Sequence, residues 1–286
     1  MTINTHKGLF QYLRVPYGPA TIPGWFQREM ELLASGLEGV VVFYDDIRVS
    51  GRTQAEHDER LKLLLNRIKD AGLTLELKKC EFNRSQMSFL GYDIDSNGIH
   101  VSEEKVAAIS KIDRPDNVKK LQSFLGMLNQ YTNKFIEGYA SIVNVLFKLL
   151  RKDVKWIWTS DCEKAFNTAK ECLKSKSVLM CYDPQLPLKL SCDASPVGIG
   201  SVISHVLPDK TERPIAYASH VLNQAERNYS QIDKEALGLV FGVKHFHQYF
   251  FGREFELETD HKPLIYIFGE KKASPRYPRA VCKDGR

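Results

Sequence analysis

Between residues 186 and 260 the sequence sets out its elements in an order that few architectures accept. Three strand-forming runs, 186–193, 198–205 and 214–219, follow one another. A helix opened by Ser230 and Asp233 comes next, with Ile232, Ala236, Leu239, Val240, Val243 and Phe246 at helical spacing. A further strand, 255–260, closes the series. The order β-β-β-α-β specifies an α/β domain. It is preceded by a helix with Ser160 and Glu163 at its start, which runs through Phe166 to Leu173.

Upstream the pattern changes. Residues 40–49 place two β-rich runs around an Asp45-Asp46 pair, the pattern of a tight hairpin. A helix follows, with Thr53 and Glu56 as a capping box, Leu61, Leu64, Leu65 and Ile68 on one face and Gly72 as its stop. Strands are expected over 73–77 and 88–94, with a turn at Asn97-Gly98. From Ser102 to about Leu150 the chain reads as helices, one capped by Asp116 and striped by Leu121, Phe124, Leu125 and Leu128. The polar stretch 151–159 ends in Trp156 and Trp158, read as an aromatic core anchor, and marks a domain boundary. At 286 residues the chain can build two cores.

Composition narrows the class further. With 43% hydrophobic and 26% charged residues, wholesale disorder is excluded. The net charge of +5 suits a nucleic-acid partner without requiring one. Cysteines 80, 162, 172, 181, 192 and 282 form no C-x-x-C pair, so free thiols are expected rather than structural zinc. No apolar h-region opens the chain and no apolar run reaches membrane-spanning length. Cytoplasm or nucleus is the expected location, with no membrane partner, and nothing sets the oligomeric state.

Two groups of acids carry the candidate chemistry. Adjacent carboxylates such as Asp45 and Asp46 raise each other's pKa unless cations relieve them. Hard Mg²⁺ ions do so, and a pair of them clamps an in-line phosphoryl displacement. Taken alone, Asp-Asp is also ordinary turn chemistry. The second group is Asp193, Glu235 and Asp260, two at strand ends and one in the first turns of the intervening helix. If the domain's first and fourth strands are neighbours, these carboxylates converge into an oxygen-rich site. His245 and His247 cannot share a helix face and are read as structural.

The surrounding residues carry a resemblance. Thr5-His-Lys-Gly-Leu-Phe, Arg14-Val-Pro-Tyr-Gly, Phe26-Gln27, Phe43-Tyr-Asp-Asp46, Leu77-Lys-Lys-Cys-Glu-Phe82, Phe89-Leu-Gly91 and Phe124-Leu-Gly126 occur in one order. Asp193-Ala-Ser-x-x-Gly-Ile-Gly, Tyr229 through Leu237 and Thr259-Asp-His-Lys-Pro-Leu264 continue it. The chain is similar to the polyproteins of gypsy-type long-terminal-repeat retrotransposons. That resemblance implies a partial reverse transcriptase palm over residues 1–98, a thumb and connector over 99–155, and a C-terminally truncated ribonuclease H-like domain over 156–286. The implied fold is α/β overall: an α+β palm fragment with a helical thumb, then a mixed α/β domain.

The resemblance also assigns roles. Asp45 and Asp46 would hold polymerase metals, and Asp193, Glu235 and Asp260 would hold those of the ribonuclease. Tyr17, Gly18, Phe26 and Gln27 would line the nucleotide and template site, Lys79 would lie near the incoming dNTP, and Phe89, Leu90 and Gly91 would grip the primer end. Mg²⁺ is the implied cofactor, with Mn²⁺ as its substitute. RNA template, DNA primer, RNA–DNA hybrid and dNTPs are the implied partners.

The departures are three. The family's upstream aspartate and fingers precede the first residue here, Phe43 stands where tyrosine is usual, and Gln130-Tyr-Thr-Asn-Lys134 replaces a Tyr-Tyr-Arg run. The family's fourth ribonuclease acid is expected beyond the Thr-Asp-His block, and Asp284 lies in no matching motif. The basic residues Lys271, Lys272, Arg276, Arg279, Lys283 and Arg286 could touch phosphates. The expected activities are RNA-directed DNA polymerisation and cleavage of RNA in hybrids, both incomplete. The alternative is a non-catalytic relic that binds nucleic acid or protein.

Overall fold

The computed structural model describes residues 2–15, 18–131, 133–152, 154–174 and 178–268. Pro16, Tyr17, Thr132, Cys282, Asp284 and the basic cluster from Lys271 to Arg286 lie outside the described residues. The chain divides into two compact units, residues 1–83 and 84–286.

The first unit opens with an antiparallel hairpin of β1 (Thr2–Thr5) and β2 (Gly8–Gln11). Helix α1 (Ile22–Ala34) leads to a second hairpin, β3 (Val40–Phe43) with β4 (Asp46–Val49), and then to α2 (Gln54–Asp70). The expected cap on α2 is present: the Thr53 hydroxyl accepts from the Glu56 N–H, and the Glu56 carboxylate reaches back to the Arg52 N–H at 2.6 Å. Leu64 and Ile68 are buried, whereas Leu65 is exposed. The strand expected over 73–77 does not form. Leu73, Leu75 and Leu77 are exposed, no strand pairs with them among the described residues, and Leu77–Lys79 winds into a 3₁₀ turn.

The second unit begins with a three-stranded antiparallel sheet, β5 (Met87–Phe89), β6 (Tyr92–Asp95) and β7 (Gly98–Val101). The single strand expected over 88–94 is therefore a hairpin. Its turn is Leu90-Gly91, at φ 51° and 83°, a pair of left-handed residues that matches the twist of a two-residue loop. Helices α3 (Glu103–Ser110), α4 (Val118–Tyr131), α5 (Tyr139–Lys148) and α6 (Ser160–Lys174) follow. The stripe on α4 is buried as expected, with Leu121, Phe124, Leu125 and Leu128 packed among Val143, Leu146 and Phe166.

Two expected caps belong to neighbouring residues. Asn117, not Asp116, accepts from the Lys120 N–H, while Asp116 pairs with the Lys120 ammonium at 2.7 Å. Thr159, not Ser160, accepts from the Cys162 N–H, and Glu163 instead takes the Trp158 indole N–H at 2.6 Å. Trp156 and Trp158 pack against this helical core, so they act as the expected anchor.

The second sheet contains β8 (Leu188–Ala194), β9 (Gly198–Val206), β10 (Glu212–Val221) and, after α7 (Gln224–Arg227), α8 (Gln231–His245) and α9 (His247–Phe250), the short strand β11 (Glu256–Glu258). Helix α10 (Lys262–Phe268) follows. The strand order is β10-β9-β8-β11, antiparallel except for the parallel pair of β11 with β8. The first and fourth strands are thus neighbours, as the convergence of the acids requires. Leu188, Leu190 and Cys192 of β8 turn toward Leu239 and Phe246, and Lys189 is clamped between Glu212 at 2.7 Å and Glu258 at 2.9 Å. Helix α5 covers the sheet's other face closely enough that a β-carbon on Gly198 would lie 3.1 Å from that of Ala140.

Two glycines set how near α8 comes to the sheet. A β-carbon on Gly242 would lie 2.9 Å from Ser201 Oγ, 3.0 Å from Cys192 Sγ and 3.1 Å from Leu190 Cδ1. One on Gly238 would meet nothing nearer than 3.8 Å. Gly242→Ala should therefore destabilise the unit by about 2 kcal/mol through overpacking. Gly238→Ala should be neutral or stabilise by up to about 1 kcal/mol through helix propensity. Chemical denaturation of both variants checks this, and equal effects would show that the helix does not rest on Gly242.

Candidate functional site

The acids of the first unit sit on the β3–β4 hairpin. Phe43 pairs with Asp46, so the two-residue turn consists of Tyr44 and Asp45, and Asp46 opens β4. Tyr44 is left-handed at φ 50°, a conformation that costs energy in any residue but glycine. Gln27 braces it. Its Oε1 accepts from the Tyr44 N–H at 2.6 Å, while its Nε2 donates to the Val42 carbonyl at 3.1 Å and to Glu31 at 2.8 Å. The buried apolar side chains of this unit, among the described residues, are Met30, Leu64 and Ile68. So thin a core leaves the turn to be set by this amide. Both aspartates are exposed, and Phe43 and Tyr44 meet edge to face at 4.7 Å.

The remaining residues expected around the polymerase site are placed as follows. Phe26 is half-buried beside Gln27 on α1, and Gly18, at φ 115°, is exposed. Lys79 is exposed at the end of the 3₁₀ turn. In the second unit Phe89 ends β5, and Leu90 and Gly91 form the turn into β6, with Leu90 half-exposed. Gln27, read from the sequence as lining the site, is thus engaged in holding the turn that carries Asp45.

In the second unit Asp193, Glu235 and Asp260 approach one end of the sheet. Ser191 and Glu258 form the last paired position of β8 and β11, and the Ser191 hydroxyl donates to the Glu258 carboxylate at 2.6 Å. Asp193 and Asp260 each lie two residues beyond that pair, and both are exposed. Glu235 comes from the first turns of α8 and is 5% exposed. Gln231, one turn earlier, donates from one amide nitrogen both to Glu235 at 2.7 Å and to the Ala194 carbonyl at 3.0 Å. It ties the start of the helix to the end of β8.

Electrostatics record the convergence. Burial holds the Glu235 carboxyl above its ordinary range, and the charges of Asp193 and Asp260 push it further the same way. The Gln231 hydrogen bond and the nearby His261 oppose that shift. Beneath them, burial pushes the Cys192 thiol up to about 11, so it supplies no thiolate. Neither Gln231 nor His261 was assigned a role from the sequence. The i−4 spacing of Gln231 from Glu235 is a readable signal. His261 stands within the Thr259-Asp-His block without a role of its own, and its Nδ1 is buried with no hydrogen-bond partner among the described residues.

The donor chemistry fits a hard cation: burial and the charges of Asp193 and Asp260 make Glu235 costly to ionise when no cation is near. Among the described residues no three His, Cys, Asp or Glu side chains stand close enough together to hold a metal ion. A Mg²⁺ site need not be closed by protein alone, because one or two carboxylates can share the ion with substrate phosphates. His245 and His247 are exposed, the first ending α8 and the second opening α9, and belong to no such group.

Comparison with known proteins places these two sites in context. Residues 1–94 match the reverse transcriptase (RNA-dependent DNA polymerase) family, and residues 158–257 match the RNase H-like domain found in reverse transcriptase. The chain thus has a segment similar to a reverse-transcriptase domain, followed by a segment similar to the RNase H-like domain of such enzymes. Over 263 residues it is 36% identical to the Tf2-3 transposon polyprotein of Schizosaccharomyces pombe and 35% identical to Tf2-7. Each alignment covers 91% of this chain and 20% of the relative, so the chain spans about a fifth of those polyproteins. These relatives bear out the resemblance to gypsy-type retrotransposons.

Solved structures share the α/β architecture. The foamy viral protease-reverse transcriptase dRH in complex with double-stranded DNA superposes with a TM-score of 0.79 at 24% identity, over 98% of this chain and 49% of that one. The foamy viral protease-reverse transcriptase in complex with RNA/DNA hybrid gives 0.75 at 25% identity, over 92% and 36%. Both domains belong to families that generally depend on divalent metal. No described helix is long and apolar enough to cross a membrane.

The raised pKa of Glu235 has a measurable sign. Folding favours its protonated form, so stability present below the normal glutamate range is lost as pH rises through the raised value. In metal-free buffer Glu235→Gln should melt about 2–4 °C higher than the parent near pH 7. The gain should vanish near pH 3, where the parent carboxyl is protonated in both states. Thermal melts at the two pH values check this, and an equal gain at both would separate it from ionisation.

Proposed function

We propose that the chain is the nucleic-acid-processing portion of a retrotransposon polyprotein, with an RNA-directed DNA polymerase site around Asp45 and Asp46 and a ribonuclease H site around Asp193, Glu235 and Asp260. The observation that supports the reading is the placement of Asp193 and Asp260 just beyond the β8–β11 pair, with Glu235 desolvated and acted on by the charges of the other two. The relatives are transposon polyproteins, and one structural neighbour holds an RNA/DNA hybrid.

By function, residues 1–98 form the palm portion, 99–155 the thumb and connector, and 156–286 the ribonuclease H-like domain. Asp193 and Asp260 would hold a divalent cation, Mg²⁺ or its substitute Mn²⁺, beside the scissile phosphate, and Glu235 would complete the set from the helix side. When bound, the ion supplies charge for the developing phosphorane and lowers the pKa of a water molecule. Gln231 fixes the orientation of Glu235 through its 2.7 Å hydrogen bond. The 2′-hydroxyl of the RNA strand distinguishes it from DNA.

At the other site Asp45 and Asp46 would hold the corresponding ions. A DNA primer 3′-hydroxyl would there attack the α-phosphate of an incoming dNTP opposite an RNA template, releasing pyrophosphate. Tyr17, Gly18 and Phe26 would face nucleotide and template, Gln27 would keep the hairpin in register, Lys79 would approach the triphosphate, and Phe89, Leu90 and Gly91 would contact the primer. Of the described ones, Gly18 and Lys79 are exposed, Phe26, Gln27 and Phe89 are half-buried, and Leu90 and Gly91 form a turn; Tyr17 lies outside the described residues.

The test is a labelled RNA–DNA hybrid incubated with the chain over a range of Mg²⁺ and Mn²⁺ concentrations. Cleavage should be metal-dependent, and Asp193→Asn should reduce it to the level without protein, because a neutral amide replaces a charged ligand at almost constant size. Hybrid binding should weaken as salt rises, with log affinity falling linearly against log salt. Cleavage that persists in Asp193→Asn would remove these acids from the mechanism.

A further inference from the structure

Away from both acid groups, the second unit contains a cleft of about 390 Å³ between α5, the end of β10 and α7. Its lining is basic. Lys148, Arg151 and Arg227 contribute to it, and no Asp or Glu does among the described residues. Arg227 is half-buried and held at two points: its Nε donates to the Leu222 carbonyl at 2.9 Å and one Nη donates to Asn144 Oδ1 at 2.9 Å. Asn144 is itself 6% exposed. Both acceptors are neutral and Arg227 has no ion pair among the described residues, so the guanidinium is fixed in place with its charge open to an incoming anion.

A second observation falls in the same cleft. Tyr139 lines it and is 4% exposed, and its hydroxyl is buried without a hydrogen-bond partner among the described residues. An unsatisfied buried hydroxyl costs stability unless something supplies its partner. Glu226, next to Arg227 in sequence, is already engaged: it accepts from the Asn223 N–H at 2.7 Å and meets the His220 ring at 3.2 Å. Lys148 and Arg151 are exposed and add long-range attraction at the rim.

We propose that this cleft binds a phosphate carried by a nucleic-acid strand, with Arg227 as its fixed cation and Tyr139 as a neutral donor. A tetrahedral phosphate accepts several hydrogen bonds at once and suits a guanidinium fork. The inference rests on the reading that nucleic acid is the partner, and it adds a contact distinct from both acid groups.

The experiment measures binding of a short labelled RNA–DNA hybrid by fluorescence anisotropy across salt, using the full chain and three variants. Lys148→Gln and Arg227→Gln should each weaken binding and lower the slope of log affinity against log salt by about 1, the signature of one lost phosphate contact. Arg227 also ties α7 to α5, so Lys148→Gln, exposed and without that duty, guards against a folding defect. Tyr139→Phe should weaken binding while leaving the melting temperature equal or higher, which a merely structural hydroxyl would not do. Parent protein that binds no hybrid would overturn both readings. Parent protein that binds, with all three variants matching it in affinity and slope, would overturn the cleft alone. Inorganic phosphate or a nucleoside monophosphate that fills the cleft without competing with the strand would overturn the strand as its source.

Discussion

The close seating of α8 on β8 is the contact from which the arrangement of the second unit's acids follows. Gly242 lets Ser201, Cys192 and Leu190 come within 2.9–3.1 Å of where a β-carbon would stand. Four residues earlier Gly238 faces the Asp193 carbonyl, and three residues earlier again Glu235 is brought over the strand end. A helix held further out would leave Glu235 in water and away from Asp193. The Gln231 amide then fixes the last degree of freedom by joining the helix start to the Ala194 carbonyl. Backbone proximity comes first, and the electrostatic coupling of the carboxylates is its result.

The two acid groups are supported by different means. Asp193 and Asp260 extend from a four-stranded sheet covered on one face by α8 and on the other by α5, so their positions inherit the rigidity of a packed core. Asp45 and Asp46 extend from a two-stranded hairpin with little buried apolar surface around it. A lone hairpin is marginal in water, and here a single side-chain amide bridges strand, turn and helix. The first arrangement resists displacement through packing. The second relies on directional hydrogen bonds, which a partner surface or a bound strand can reinforce.

Much of this was legible in the sequence, and the unread parts share a cause. Hydrophobic period gave the α4 stripe, the α8 core face and the three antiparallel strands, because burial selects residues at fixed spacing. The acids could be named because their motifs resemble a known family. Their convergence depended on one fact, the adjacency of β8 and β11, that no local pattern encodes. The errors are local competitions. Asp116 and Asn117 are both good caps, and the ion pair to Lys120 drew Asp116 away. Residues 73–77 have strand-like composition but no strand to pair with, and propensity without a partner makes no sheet. The roles of Gln231 and Gln27 are side-chain geometry, visible only once helix and strand have been brought together.

The parallel pairing of β11 with β8 also bears on how the molecule assembles. Ser191 and Glu258, bonded side chain to side chain, are 67 residues apart in sequence. Antiparallel β8, β9 and β10 can zip through short turns, but a parallel partner must wait until a crossover has been made. Loop closure of that length is slow compared with hairpin formation, so β11 is the natural late arrival and Asp260 docks with it. The site thereby has a chronology: Asp193 is in place early, Glu235 when the helix seats, and Asp260 last. A nascent chain would carry only part of its acid cluster until its sheet is complete, which ties the completion of that cluster to the end of folding.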